Sequence, residues 1–205
     1  DNDGVLVDSH SAAVEAWGLW ALEFAPHVNW NDPANAGQRA EDLVRRWIAS
    51  PELFEQANDR INQLEQESAH ATIALAGAVD LLHSIVDDIW TVCTSANTNL
   101  GRARLEAAGL PVPKHLVTAN HVERGKPHPD PYLLGAERLG FDPADCVVFE
   151  DAVAGAQAAL EAGVGLVVGV SEFALATEAD IVVRDLTGIT FDGEVLFIPD
   201  KNRLR

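Results

Sequence analysis

Residues 146–163 read CVVFEDAVAGAQAALEAG. The apolar run 146–149 has the length and composition of a buried strand. Glu150 and Asp151 follow at once. From about 152 to 162 the residues suit a helix, and Gly163 supplies its stop. A strand that passes into a helix through two carboxylates is the repeating unit of an α/β sheet, and ligands of such sheets gather beyond the carboxyl ends of the strands. Glu150 and Asp151 therefore mark where to search. Taken alone, the pair equally suits a helix N-terminus, where the dipole favours negative charge.

Working outward, the unit recurs. Residues 89–94 (IWTVCT) read as a strand, followed by a helix over 100–108 that stops at Gly109. A short strand is expected at 115–118, then a helix over 131–139 with Asp130 as its N-cap and Pro131 in its first position. Further strands are expected at 166–170 and 181–183. The runs 189–191 and 195–198 flank Asp192-Gly193, a hairpin signal. Alternating strands and helices predict a parallel sheet covered on both faces. The first third differs. After an acidic loop over 1–9, a helix over 10–26 carries the stripe Ala13, Val14, Trp17, Trp20, Ala21 and Phe24. Two more helices follow, over 38–49 and 51–70, so this part is all-helical.

Composition narrows the function. With 205 residues, 47% hydrophobic and 22% charged, the chain is globular. A formal net charge of -18 opposes binding to nucleic acid or to an anionic membrane surface. Cys93 and Cys146 lie inside apolar runs with no metal or disulfide spacing, which fits a reducing compartment. No signal peptide and no apolar run of membrane length is seen, so a cytoplasmic location is expected.

At the expected strand ends stand Thr94 and Ser95, then Glu150 and Asp151. The chain opens on Asp1 and Asp3, and Lys126 lies in GKPHPDP. Carboxylates gathered this closely repel unless a cation joins them, and hard oxygen ligands favour magnesium. Each element has a local reading of its own. Asp1-x-Asp3-Gly4 suits a turn, Asp8-Ser9 an N-cap, Thr94 a strand end and Lys126 a solvated surface. Cys93 and Cys146 read as small buried apolar residues.

Taken together and in this order, DNDGVLVDS, Thr94, GKPHPDP and Glu150-Asp151 resemble the four motifs of the haloacid dehalogenase superfamily. The likeness spans nearly the whole chain, and the segment 118–140 is similar to its sugar- and polyol-phosphate phosphatases. The resemblance implies an α/β, Rossmann-like three-layer core with an inserted all-helical cap. The core would comprise 1–9 and 77–205, and the cap 10–76. It implies a magnesium-dependent phosphatase acting on a small phosphorylated metabolite, a sugar or polyol phosphate, as a monomer. Asp1 would be the nucleophile and Asp3 the general acid and base. Lys126 would neutralise charge, and Thr94 and Ser95 would bind phosphate. Asp1, Asp3 and Asp151, with Glu150 nearby, would hold magnesium. In the cap, Gly37 and Arg39 would meet the substrate, although Ala36 replaces a histidine frequent there, and Ala76-Gly77 stands where Pro-Gly is common. The five tryptophans are expected chiefly to pack cap helices. In this superfamily a hydrophobic strand precedes the nucleophile. None stands before Asp1, so the resemblance implies a missing core strand and a fragment of a longer protein.

Asp3 speaks against a dehalogenase, and the absence of lysine from 10–76 against a phosphonate hydrolase. A sugar-phosphate mutase stays open, since Arg39, Arg45, Arg46 and Arg60 could hold a second phosphate. So does a catalytically silent binder on the same fold.

Overall fold

The computed structural model describes residues 1–86 and 89–205. Strands β1 (Val7–Asp8) and β2 (Ile73–Ala74) pair antiparallel, so the expected opening loop is partly a ribbon. Between them run α1 (His10–Phe24), α2 (Ala40–Trp47) and α3 (Pro51–Ser68). Helices α4 (Ala78–Ser84), α5 (Thr98–Ala107) and α6 (Asp130–Leu139) follow. Next come β3 (Val147–Glu150), α7 (Val153–Glu161), β4 (Leu166–Val170) and β5 (Ile181–Val183). A hairpin, β6 (Thr190–Phe191) with β7 (Leu196–Phe197), closes the order, as Asp192-Gly193 predicts.

Strands β3, β4 and β5 form a parallel sheet in sequence order. Side chains alternate across it. Val168, Val170 and Val183 join Leu81, Leu82 and Leu105 on one face; Val148, Val167 and Val182 join Tyr132, Ala156 and Ala159 on the other. Each face is thus a strand row packed beneath helices, the three-layer α/β arrangement. Complete burial of one such valine or leucine contributes about 1.5–3 kcal/mol, so a register slip of one residue would cost several of these at once.

The strands expected at 89–94 and 115–118 are shorter in the structure. Val92, Cys93, Leu116 and Val117 are all buried, but the pairing is a single parallel bridge between Cys93 and Val117. Two hydrogen bonds hold it, Thr94 N–H to the Val117 carbonyl and Val117 N–H to the Val92 carbonyl. Asp130 is also placed differently. It starts α6, but its carboxylate accepts two hydrogen bonds from Arg124 and caps nothing.

The three helices α1–α3 enclose a separate apolar cluster: Ala16, Trp20, Ala21, Val44, Ala57, Ile61 and Leu64. Trp17, Trp20 and Trp47 stack edge-on or tilted within it, and Trp20 Nε1 donates to the Ala57 carbonyl. This is the helical cap of the fold. The stripe on α1 is rotated slightly from expectation. Ala16 is buried, whereas Ala13, Val14 and Trp17 are half-buried and turn toward the cleft beside the sheet. Among the described residues no helix is long and apolar enough to cross a membrane.

Candidate active site

Asp1, Lys126 and Glu150 meet beyond the carboxyl end of β3. The Asp1 backbone nitrogen donates to the Phe149 carbonyl at 2.9 Å, which seats residue 1 beside that strand. Lys126 is 2% exposed, far from the solvated lysine its local sequence describes. Its Nζ lies 2.7 Å from Asp1 Oδ1 and 2.6 Å from Glu150 Oε1. Tyr132, from the first turn of α6, donates its hydroxyl to the same Glu150 oxygen. The other, Oε2, accepts the N–H groups of Asp151 and Ala152. Glu150 is fully buried with both oxygens in use. It anchors Lys126 and the start of α7. Burial tends to raise the Glu150 pKa, but Lys126 and Tyr132 hold it below the usual carboxylate range. The Tyr132 phenol is raised well above its ordinary pKa by burial and by the Glu150 charge.

Among the described residues Asp151 has no such partner. Burial, then the charge of Glu150, pushes its pKa up to about 7. Gly4 faces it closely, and an alanine Cβ at Gly4 would overlap the Asp151 carboxylate. Gly4 also has φ +80°, a conformation that favours glycine. Ligand oxygens of Asp1, Glu150 and Asp151 lie within 4.8 Å of one another.

Asp3 faces the other side of the cleft. Its Oδ1 accepts Ser9 Oγ at 2.6 Å and lies 3.0 Å from Arg104 Nη1; its Oδ2 meets Thr94 Oγ1 at 3.4 Å and Asn2 Nδ2 at 3.3 Å. Ser9 therefore makes no side-chain cap on α1. Asp8 Oδ1 accepts the His10 N–H instead. Thr94 Oγ1 accepts the Ala96 N–H, while the backbone N–H groups of Asp3 and Ser95 donate to nothing among the described residues. Those two free donors and Lys126 are the local positive groups that an anion requires in a chain of this charge.

A cleft of about 1740 Å³ opens between cap and sheet, lined by Asp1, Asp3, Thr94, Ser95, Asp151 and cap residues. Among the described residues four hydrogen bonds cross it, one of them from Arg104 Nη2 to Glu65 Oε1 at 3.2 Å. Ser95 Oγ donates to the Gly37 carbonyl at 2.6 Å, Asn97 Nδ2 to Asn62 Oδ1 at 2.9 Å, and Arg39 Nη1 to the Val122 carbonyl at 3.3 Å. The Ser95 hydroxyl is thus committed to the cap, leaving its N–H for a ligand. Gly37 lets the cap loop approach α7, since a Cβ there would sit 2.9 Å from that of Ala152. Arg39 is a clasp more than a free arm, because Asp42 engages its Nε and Nη2. Arg45, Arg46 and Arg60 do not line the cleft. They pair with Glu41, with Asn35 and Gln38, and with Glu23.

Arg104, Glu65 and Tyr132 escaped the sequence reading. Arg104 and Glu65 each stand four residues after a buried apolar residue, Leu100 and Ile61, on the inward stripe of a helix. A charge at such a position is the signal that could have found them.

Residues 1–163 match the family described as haloacid dehalogenase-like hydrolase. The chain belongs to this family. Among curated relatives of these haloacid dehalogenase-like hydrolases, hexitol phosphatase A of Escherichia coli is 36% identical, over 93% of this chain and 91% of its own length. Glycerol-1-phosphate phosphohydrolase 2 of Saccharomyces cerevisiae is 32% identical, over 98% and 88%. A crystal structure of a hydrolase from Pseudomonas syringae superposes with a TM-score of 0.76 at 28% identity, covering 90% of this chain and 91% of that one. Within this haloacid dehalogenase-like fold, the acidic group of Asp1, Glu150 and Asp151 has the hard oxygen chemistry to hold a metal cation.

Proposed function

We propose that this protein is a magnesium-dependent phosphatase that hydrolyses a small sugar or polyol phosphate through a phosphorylated Asp1. The observation that carries this reading is the convergence of Asp1, Lys126 and Asp151 on the cleft that Asp3 also lines, beside the N–H groups of Asp3 and Ser95, which have no partner among the described residues. The named relatives act on hexitol and glycerol phosphates, which supports the substrate class. The reading takes 10–76 as the cap and the remainder as the catalytic core.

In this reading the phosphate sits between Asp1 and the donors of Thr94, Ser95 and Lys126. An Asp1 carboxylate oxygen attacks phosphorus while the bond from phosphorus to the substrate oxygen breaks. Asp3 gives its proton to the departing alkoxide. The ionised Asp3 then takes a proton from water as the water oxygen attacks the same phosphorus. The acyl–phosphate bond breaks, inorganic phosphate leaves and Asp1 is restored. Lys126, fixed on Asp1 Oδ1, offsets charge throughout, which is most of what phosphoryl transfer asks of a protein.

Magnesium fits the residues present. Asp1 and Asp151, with Glu150 nearby, offer carboxylate oxygens, and the Asp3 carbonyl accepts no hydrogen bond among the described residues. When bound, the ion would neutralise charge on the transferring phosphoryl group. A pH dependence follows from Asp151. Its pKa in the folded protein, about 7, is raised from the ordinary 3.8. The metal-free fold therefore favours protonated Asp151; that stabilisation is full below about pH 4 and is lost by about pH 7. Magnesium needs the ionised form and reverses the trend. Its affinity should fall about fivefold between pH 7 and pH 6 and level off above pH 8. Calorimetric titration at these pH values checks this. An affinity unchanged from pH 6 to pH 8 would remove Asp151 from the ligand set.

The reading as a whole is tested by phosphate release from a panel of hexitol, glycerol, sugar and nucleotide phosphates, with magnesium and with chelator. Magnesium-dependent release from polyol or sugar phosphates is expected. Isomerisation of a sugar phosphate without release would identify a mutase instead. Absence of any turnover by folded protein would identify a silent binder.

A further inference from the structure

We propose that Arg104 is a positioning residue for Asp3, and that Glu65 on cap helix α3 holds Arg104 for that purpose. Arg104 is a buried cation, its side chain 6% exposed. Its Nη1 lies 3.0 Å from Asp3 Oδ1 and its Nη2 3.2 Å from Glu65 Oε1. Glu65 is itself buried, its side chain 10% exposed. A guanidinium with two donors in one plane is suited to join two carboxylates at a fixed angle.

The contacts on Asp3 are unequal. Oδ1 has the short ones, Ser9 Oγ at 2.6 Å and Arg104 at 3.0 Å, whereas Oδ2 has only long ones, at 3.3 and 3.4 Å. One oxygen is clamped and the other is left to exchange a proton with substrate or water. Glu65 balances the charge of Arg104, so the clamp orients the carboxylate without adding a net cation to the cleft. Stability is a poor explanation for such a cluster, because apolar replacements of buried ionic groups are often neutral or stabilising. Its position explains it better. Arg104 is on core helix α5, Glu65 is on the cap, and Asp3 is the group both flank. The oriented acid and base is thus assembled only when α3 is packed against α5.

This inference rests on the assignment of Asp3 as general acid and base, and the experiment separates the two. Single-turnover phosphorylation would be followed by rapid quench with p-nitrophenyl phosphate and with an alkyl phosphate that the wild type hydrolyses. An alkoxide needs a proton to leave, whereas nitrophenolate leaves without one. Arg104→Met should slow phosphorylation by the alkyl phosphate about 100-fold and by the aryl phosphate less than about fivefold, with little change in KM. Arg104→Lys should recover part of the loss. Arg104→Met leaves Glu65 unpaired and can fold poorly, so the double variant Arg104→Met/Glu65→Gln is measured beside it. It should regain thermal stability and keep the selective defect. Equal slowing on both substrates, or wild-type rates in either folded variant, would overturn the proposal. A wild type that forms no phosphoenzyme with either substrate would overturn the functional reading and this inference with it.

Discussion

Asp1→Asn is expected to abolish phosphate release, by at least ~10⁴-fold in kcat, while leaving the protein folded and as stable as the wild type or more so. The amide cannot form the acyl phosphate, and loss of a nucleophile removes the covalent route outright. The stability side follows from the charges. Asp1, Glu150 and Asp151 crowd around the ammonium of Lys126. Neutralising Asp1 relieves repulsion and still leaves Lys126 its contact with Glu150. Phosphate release on the preferred substrate, a search for phosphoprotein by mass spectrometry and a thermal melt together check this. A phosphoprotein that still formed on the variant would place the nucleophile elsewhere.

Lys126→Met should behave oppositely, losing activity and stability together. The Lys126 side chain is 1% exposed and that of Glu150 0%, so the change strands a buried carboxylate. Breaking one side of a buried pair costs about 3–5 kcal/mol. For a chain of this size that corresponds to a melting temperature lower by roughly 6–20 °C. The deficit should shrink as pH falls, because protonation of Glu150 removes the uncompensated charge. Turnover, measured well below the melt, should drop by about 10²–10³-fold, the usual loss for a charge-stabilising donor. A variant that melts like the wild type would mean that Lys126 is not paired in solution as it is here.

Much of this was legible because it is local. The runs 146–149, 166–170 and 181–183 are strands where their apolar character places them, and Gly109 and Gly163 follow helix ends with positive φ. The grouping of Asp1, Lys126 and Asp151 could be anticipated because topology brings strand ends together. What escaped depends on pairing between distant segments. Apolar runs at 89–94 and 115–118 reported burial correctly but not ladder length. The Ser9 hydroxyl had a cap as its nearest local use and found Asp3 instead. The contacts of Lys126 and Tyr132 with Glu150 likewise join distant segments. Arg104 and Glu65 stand on different helices, so neither segment alone announces the other.

The ribbon of β1 and β2 has a mechanical consequence. The chain enters the cap along one strand and leaves along the other, and the two are joined by the Val7–Ala74 and Asp8–Ile73 register and by Leu75 N–H on the Leu6 carbonyl. Two zipped crossings cannot twist independently, so they act as a strap hinge with one easy axis. The Gly37 and Asn62 contacts tie the cap to the core at other points. The turn between Asp3 and Val7 is the hinge's inner leaf, with Gly4 N–H bonded to the Val7 carbonyl at 2.9 Å. Torque on the cap is therefore delivered within a few residues of the Asp3 carboxylate, at the short end of the lever.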